Sequence, residues 1–162
     1  MASATAHFDV FLSHSRLDAE VILGVKRLLE QRRLSVYVDW IEDPQLDRSR
    51  VTPATAEVLR ARMQQSSSLI FATSESSPNS KWMPWELGYF DGIRHGHIGI
   101  LPLVESAGAK FVGQEYLGLY PLIEDISFSD GDRSLGIFTS TDRRTANPVE
   151  FLKSREFVVA AR

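Results

Sequence analysis

A carboxylate set among aromatic rings is the most suggestive chemistry in this chain. It sits in the segment Ser80-Lys81-Trp82-Met83-Pro84-Trp85-Glu86-Leu87-Gly88-Tyr89-Phe90-Asp91. Trp82 and Glu86 are four residues apart, so on a helix they share one face, with Tyr89 and Phe90 adjoining. Rings stack on a planar heterocycle and a carboxylate faces developing positive charge, a combination suited to a cationic, planar substrate. Pro84 must lie in the first turn, because an interior proline breaks the hydrogen-bond ladder. Glu86 then lies near the helix start, where the dipole favours its ionised form. The same spacing is met by Trp82, Trp85 and Tyr89 as core anchors with Glu86 solvated or capping. Periodicity alone does not decide between the two.

The elements that must position these residues are legible in outline. Phe8-Asp9-Val10-Phe11-Leu12-Ser13 is a β-rich run suited to a buried strand. Ser15-Arg16-Leu17-Asp18 matches a capping box, after which Val21, Ile22, Val25, Leu28 and Leu29 recur at helical spacing as far as Arg32 and Arg33. Residues 35–39 form a second strand, completing a βαβ unit of a parallel sheet. The stretch 40–51 is polar and irregular. Thr52-Pro53 opens a helix to about residue 65, and residues 67–73 form a third strand. A serine-rich loop over 74–80 leads into the helix over 81–94. Residues 98–104 and 117–123 read as the fourth and fifth strands. Beyond 126, residues 135–138 look strand-like and 148–160 helical. Five strands alternating with helices predict a flavodoxin-like α/β layer, a five-stranded parallel sheet with helices on both faces.

In such a sheet, ligands bind beyond the carboxyl ends of the strands. That edge carries Ser13-His14-Ser15, Asp39-Trp40 and the loop over 73–80. Amides at the start of the first helix favour a phosphate there. Ser15 is first of all a helix cap, and a cap can also line a phosphate site.

Composition removes whole classes of chemistry. The 162 residues are 43% hydrophobic and 24% charged with a net charge of −3, ordinary for one globular domain and without a basic footprint for nucleic acid. There is no cysteine, which excludes disulfides, thiolate catalysis and cysteine-based metal sites. Residues 1–6 lack the positive and apolar regions of a signal peptide, and no apolar run is long enough to span a bilayer. The expectation is a soluble, cytoplasmic protein without a metal site. No Gly-x-Gly-x-x-Gly follows a strand, and neither a Walker loop nor a Gly-x-Ser-x-Gly elbow is present. A phosphorylatable receiver would need carboxylates where this chain has Ser13-His14 and Thr73-Ser74.

Phe8-Asp9-Val10-Phe11-Leu12-Ser13-His14-Ser15 resembles the first box of TIR (Toll/interleukin-1 receptor) domains, and Ser80-x-Trp82-x-x-x-Glu86-Leu87 resembles the family's Trp-x-x-x-Glu helix. The string from Trp82 to Gly92 is more similar to short bacterial TIR proteins than to animal adaptors. The resemblance spans about residues 7–125. It implies a TIR fold with a tail over 1–7, a core over 8–126 and an extension over 127–162 packed on the same domain. It also implies cleavage of the nicotinamide–ribose bond of NAD, with NAD as substrate and no cofactor. By resemblance, Glu86 is the catalytic residue, Trp82 lines the nucleotide pocket, and Ser13, His14, Ser15 and Arg16 contact substrate. Asp39 and Trp40 are expected to border the pocket, with Glu86 facing it.

Water attack gives ADP-ribose, and attack from the adenosine half gives a cyclic isomer. Short bacterial members look like the signal-producing arm of anti-phage systems such as Thoeris. That favours cyclisation, a separate effector protein for the product, and self-association through TIR–TIR contacts. The loop over 40–51 lacks the Arg-Asp…Pro-Gly box of receptors and adaptors, so its role stays open. Two alternatives stand: a non-enzymatic interaction module, and N-glycoside chemistry on another nucleoside, as in deoxyribosyltransferases.

Overall fold

Alternation along the first strand explains the layering. In a computed structural model, which describes residues 3–103, 113–127, 133–138 and 148–153, β1 spans Phe8–His14 and is buried along nearly its whole length. Successive side chains point to opposite faces of a strand. Phe11 joins one apolar cluster with Tyr37, Leu59, Met63, Met83, Leu87 and Phe90. Val10 and Leu12 join another with Ile22, Leu29, Leu34 and Leu152. The first cluster draws on the helices α3 (Pro53–Gln64) and α4 (Met83–Ile93); the second draws on α1 (Ala19–Gln31) and α5 (Pro148–Lys153). A strand covered on both faces has to be apolar on both, which is why β1 reads as a continuous hydrophobic run.

The sheet order is β2-β1-β3-β4-β5-β6, with β2 at Val36–Tyr37, β3 at Ser66–Thr73, β4 at Ile98–Pro102, β5 at Leu122–Ser127 and β6 at Arg133–Phe138. β1 pairs in parallel with β2 and β3, with Phe11 opposite Tyr37 and Leu69. β3–β4 and β4–β5 are parallel too, and β6 runs antiparallel to β5, with Ile123 opposite Ile137. The flavodoxin-like α/β layer is as expected, with helices on both faces. The sixth strand corrects the five-stranded count: residues 135–138 join the sheet as an antiparallel edge.

Three further details differ from expectation. The capping box does not close: Ser15 Oγ accepts from the Leu17 amide at 3.4 Å, but the Asp18 carboxylate instead accepts from Ser74 Oγ at 2.6 Å. A 3-10 turn over Arg16–Asp18 therefore precedes α1. The second strand stops at Tyr37, and the expected loop opens instead with a short helix α2 at Asp39–Glu42. The fifth strand begins at Leu122, because Pro121 has no amide to donate and a 3-10 turn occupies Glu115–Leu119. The final helix covers Pro148–Lys153, and residues 154–160 lie outside the described residues.

The chain after α2 is pinned by a buried carboxylate. Arg62 grips Asp43 in a fork, Nε to Oδ2 at 2.7 Å and Nη2 to Oδ1 at 3.0 Å, and the Tyr37 hydroxyl donates to Oδ2 at 3.0 Å. Burial, reinforced by the Asp43 charge, pushes the Tyr37 hydroxyl well above the ordinary tyrosine range. It stays protonated and keeps donating.

Gly99 in β4 has a packing reason. A Cβ there would lie 2.6 Å from Ile123 Cδ1 and 2.9 Å from Cγ1. Gly99→Ala is expected to destabilise the protein by about 1–3 kcal/mol, the usual cost of overpacking, seen as a lower urea midpoint with unchanged slope. An unchanged midpoint would mean that the Ile123 side chain yields at no cost.

Candidate active site

Three chain segments meet at the carboxyl edge of the sheet. The turn after β1 brings His14 to Leu17, the end of β2 brings Asp39 and Trp40, and the loop before α4 brings Asn79 to Trp82. Asp47, Arg48 and Ser49 close the remaining side. Together they line a cavity of about 450 Å³. Such crevices beyond the strand ends are where open α/β sheets bind ligands.

Glu86 lies behind this cavity rather than on its wall. It is fully buried in the first turn of α4, which the Pro84 argument anticipated. Ser13 Oγ donates to its Oε2 at 2.6 Å. Arg48 Nη2 donates to its Oε1 at 2.7 Å, and Arg48 Nη1 donates to Asp39 Oδ2 at 2.9 Å. Arg48 lines the cavity and Glu86 does not, so the guanidinium stands between the carboxylate and the opening. The expectation that Glu86 faces the cavity is corrected on this point. Burial works against the Arg48 charge, but Glu86 and Asp39 outweigh it and hold its pKa above the ordinary arginine value. A buried ion pair of this kind survives only because its hydrogen bonds are well made.

Trp82 has two duties. Its ring is packed in the core beside Met83 and Leu87, and its edge reaches the cavity, where Nε1 donates to the Arg48 carbonyl at 2.9 Å. Trp85 meets it edge-on at 5.4 Å and stacks on Tyr89 at 5.7 Å, with the Arg60 guanidinium over both rings. Trp85 and Tyr89 therefore serve the α3–α4 contact and are not on the cavity wall. Trp82, Trp85 and Tyr89 pack as the core-anchor reading expects, but Glu86 is fully buried and not solvated.

Both ring nitrogens of His14 are engaged. A carbonyl can only accept, so Nδ1 carries the proton that goes to Leu12 O at 2.8 Å. Nε2 accepts from Trp40 Nε1 at 3.1 Å and lies 3.6 Å from Asp39 Oδ1. That Oδ1 atom is buried without a hydrogen-bond partner. Ser15 and Arg16 line the cavity, while Ser13 is buried behind it and touches Glu86. Of the residues singled out from sequence, His14, Ser15, Arg16, Asp39, Trp40 and Trp82 thus share one cavity, and Ser13 and Glu86 form its back layer.

Arg48 was missed. It stands in the charged run Asp47-Arg48-Ser49-Arg50, where nothing in the spacing separates a buried arginine from a solvated one. A carboxylate buried at a sheet edge needs a cation, but Arg16, Lys81 and Arg50 met that need as well as Arg48 did, so the sequence held no signal that selects it.

The two motif segments, Ser13-His14-Ser15 and Trp82-x-x-x-Glu86, are brought side by side at the edge of a flavodoxin-like α/β sheet. Curated relatives make the likeness particular. The chain is 59% identical over 117 residues to a Bacillus cereus (strain MSX-D12) protein named "Probable 3' cyclic ADP-D-ribose synthase ThsB'". That match covers 72% of this chain and 60% of the relative. It is 36% identical over 83 residues to TIR2 of Cytobacillus dafuensis, a protein named for cyclic ADP-D-ribose synthesis, covering 51% of this chain and 22% of that one. The chain thus spans about 60% of the length of the first relative and 22% of the second. No family model matches the chain. The resemblance to short bacterial TIR proteins, first carried by residues 8–15 and 80–92, is borne out by these relatives.

Ser13 tests the back layer. Ser13→Ala removes the 2.6 Å donor from a fully buried carboxylate oxygen. The expected loss of folding stability is about 1–3 kcal/mol by urea denaturation, the cost of leaving a buried acceptor short of a partner. A neutral substitution would mean that Glu86 does not need this bond.

Proposed function

We propose that the chain is an NAD-cleaving enzyme that releases nicotinamide and closes the remaining ADP-ribose into a cyclic isomer. The observation that carries this reading is the buried Glu86 carboxylate, anchored by Ser13 and separated from a sheet-edge cavity by a single side chain. The names of the two relatives support the same activity for them.

The chemistry follows from charge. Nicotinamide in NAD is a pyridinium, so the C1′–N bond breaks with its electron pair moving to the ring nitrogen, and the base leaves neutral. No general acid is required. Positive charge builds on the ribose as an oxocarbenium ion, as in glycoside cleavage. Glu86 is the anion placed to face that charge and to accept from the ribose hydroxyls. A nucleophile on the adenosine half then bonds to C1′, or a water does, and the proton released goes to solvent. Intramolecular attack is favoured when the site folds NAD back on itself, since no second molecule has to be captured. Trp82 and Trp40 offer ring edges at the cavity, and Arg16 and the turn after Ser15 offer positive potential for the diphosphate. Self-association through TIR–TIR contacts, a separate effector for the product, and a cytoplasmic place of action belong to this proposal. Among the described residues no helix is long and apolar enough to cross a membrane.

A non-enzymatic interaction module is the second reading, and one observation favours it: Glu86 is covered by Arg48. One experiment separates the two. The wild-type protein is incubated with NAD, and the products are resolved by chromatography and weighed by mass spectrometry. The enzymatic reading predicts nicotinamide together with a product of the mass of cyclic ADP-ribose. Glu86→Gln keeps acceptor and donor atoms for Arg48 and Ser13 but lacks the charge, so it should fold and lose at least about a hundredfold in rate. Full activity in folded Glu86→Gln protein sinks the assignment; no turnover by wild type favours the interaction module.

A further inference from the structure

Arg48 poses a problem that the proposed chemistry has to solve. Its two terminal nitrogens bond one oxygen each of Asp39 and Glu86, and it lines the cavity while Glu86 does not. A ribose entering this cavity meets a guanidinium, not the carboxylate. For Glu86 to reach a sugar hydroxyl, Arg48 has to leave, and leaving means breaking two buried ion pairs. That is unfavourable unless the guanidinium is given other anionic oxygens in exchange.

We propose that Arg48 is an exchangeable latch: the diphosphate of the substrate draws it off Glu86, so that phosphate recognition uncovers the carboxylate. This rests on the NAD-cleaving reading and adds the determinant of substrate class. The site acts on nucleotides bearing a diphosphate and spares the corresponding nucleosides. Four observations support it. A guanidinium fork fits phosphate as well as carboxylate, so the exchange conserves hydrogen bonds and replaces one pair of anionic partners by another. Arg16 and Lys81 line the same cavity and offer a diphosphate two further cations beside Arg48. The Arg48 backbone is fixed independently of its side chain, because its carbonyl accepts from Trp82 Nε1 and the adjoining Asp47 carbonyl accepts from Thr55 Oγ1. The side chain can swing while the loop stays in place. Finally, Ser13 keeps hold of Glu86 from behind, so the carboxylate remains positioned when its other partner goes.

A ligand shifts such an equilibrium only by its differential affinity for the two states. A nucleoside has no group that prefers the open state through Arg48; a dinucleotide has two phosphates that do.

The test divides the substrate into pieces. Nicotinamide riboside carries the scissile bond without phosphate, and inorganic pyrophosphate carries the phosphates without the bond. Wild-type protein should cleave nicotinamide riboside poorly, and added pyrophosphate should raise that rate by about tenfold, within the usual range of coupling between two sites. In Arg48→Gln protein, pyrophosphate should no longer activate. The gap between NAD and nicotinamide riboside should also narrow by at least about tenfold, because the latch is absent for both. Arg48→Lys, which keeps a cation between the two carboxylates, stands in if Arg48→Gln does not fold, and should weaken pyrophosphate activation.

A second readout needs no catalysis. Trp40 and Trp82 border the cavity, so tryptophan fluorescence should respond saturably to pyrophosphate in wild type and not in Arg48→Gln. No fluorescence response in wild type, an equal response in the variant, or inhibition of riboside cleavage by pyrophosphate would each overturn the latch. If pyrophosphate shifts wild-type fluorescence through Arg48 while neither NAD nor the riboside is cleaved, the latch stands and the NAD reading falls.

Discussion

The carboxylate of Glu86, fully buried between the Ser13 hydroxyl and the Arg48 guanidinium, is the interaction around which the sheet edge is organised. A buried anion is tolerated only with hydrogen-bond donors on its oxygens, and the two donors come from different elements of the fold. Ser13 is the penultimate residue of β1, held by pairing with β3; Arg48 belongs to the loop between α2 and α3. Glu86 itself is delivered by α4, whose start is set by Pro84. Three elements distant in sequence thus converge on one charge, and the layering of the fold brings them together. The apolar clusters on either face supply the driving force, and the polar contacts supply the registration.

The loop after β2 is the element whose meaning changed most. Its first residues coil into α2, its Asp43 is gripped by Arg62 and Tyr37, and its Arg48 reaches back over Glu86. Buried bonds to Asp43 at one end and the Thr52 cap of α3 at the other hold the segment firmly. Between those anchors, Arg48 presents the one side chain that separates the cavity from the carboxylate. A loop built in this way is suited to recognition, because a small rotation of one residue changes what the cavity offers a ligand.

Much of this was legible in the residues, and the exceptions share a cause. The parallel strands and flanking helices announce themselves through local periodicity, and the positions of Pro53 and Pro84 fix two helix starts because proline has no amide to spend. The grouping of His14, Asp39 and Trp40 followed from the rule that ligands sit beyond strand ends, and Trp82 was added by the family resemblance. What escaped was set by partners remote in sequence. Asp18 abandons the capping box because Ser74 competes for it. Arg48 is recruited by two carboxylates from other elements. Local pattern contains no trace of such pairings, whereas the β5–β6 pairing had a signal that went unread, the turn dipeptide Asp130-Gly131 between the two strands. The family resemblance named Ser13 and Glu86, and only the structure showed that they lie behind the cavity with Arg48 bonded to Glu86.

The central claim is that Glu86 meets the ribose of a bound dinucleotide. A crystal structure of the protein with carba-NAD, whose carbocyclic ring cannot form an oxocarbenium ion, examines it directly. The account predicts the Glu86 carboxylate within hydrogen-bond distance of the hydroxyls on the nicotinamide-bearing ring, with Arg48 turned onto the phosphates. An analogue bound in the cavity while Glu86 stays paired with Arg48, out of reach of the sugar, would contradict it.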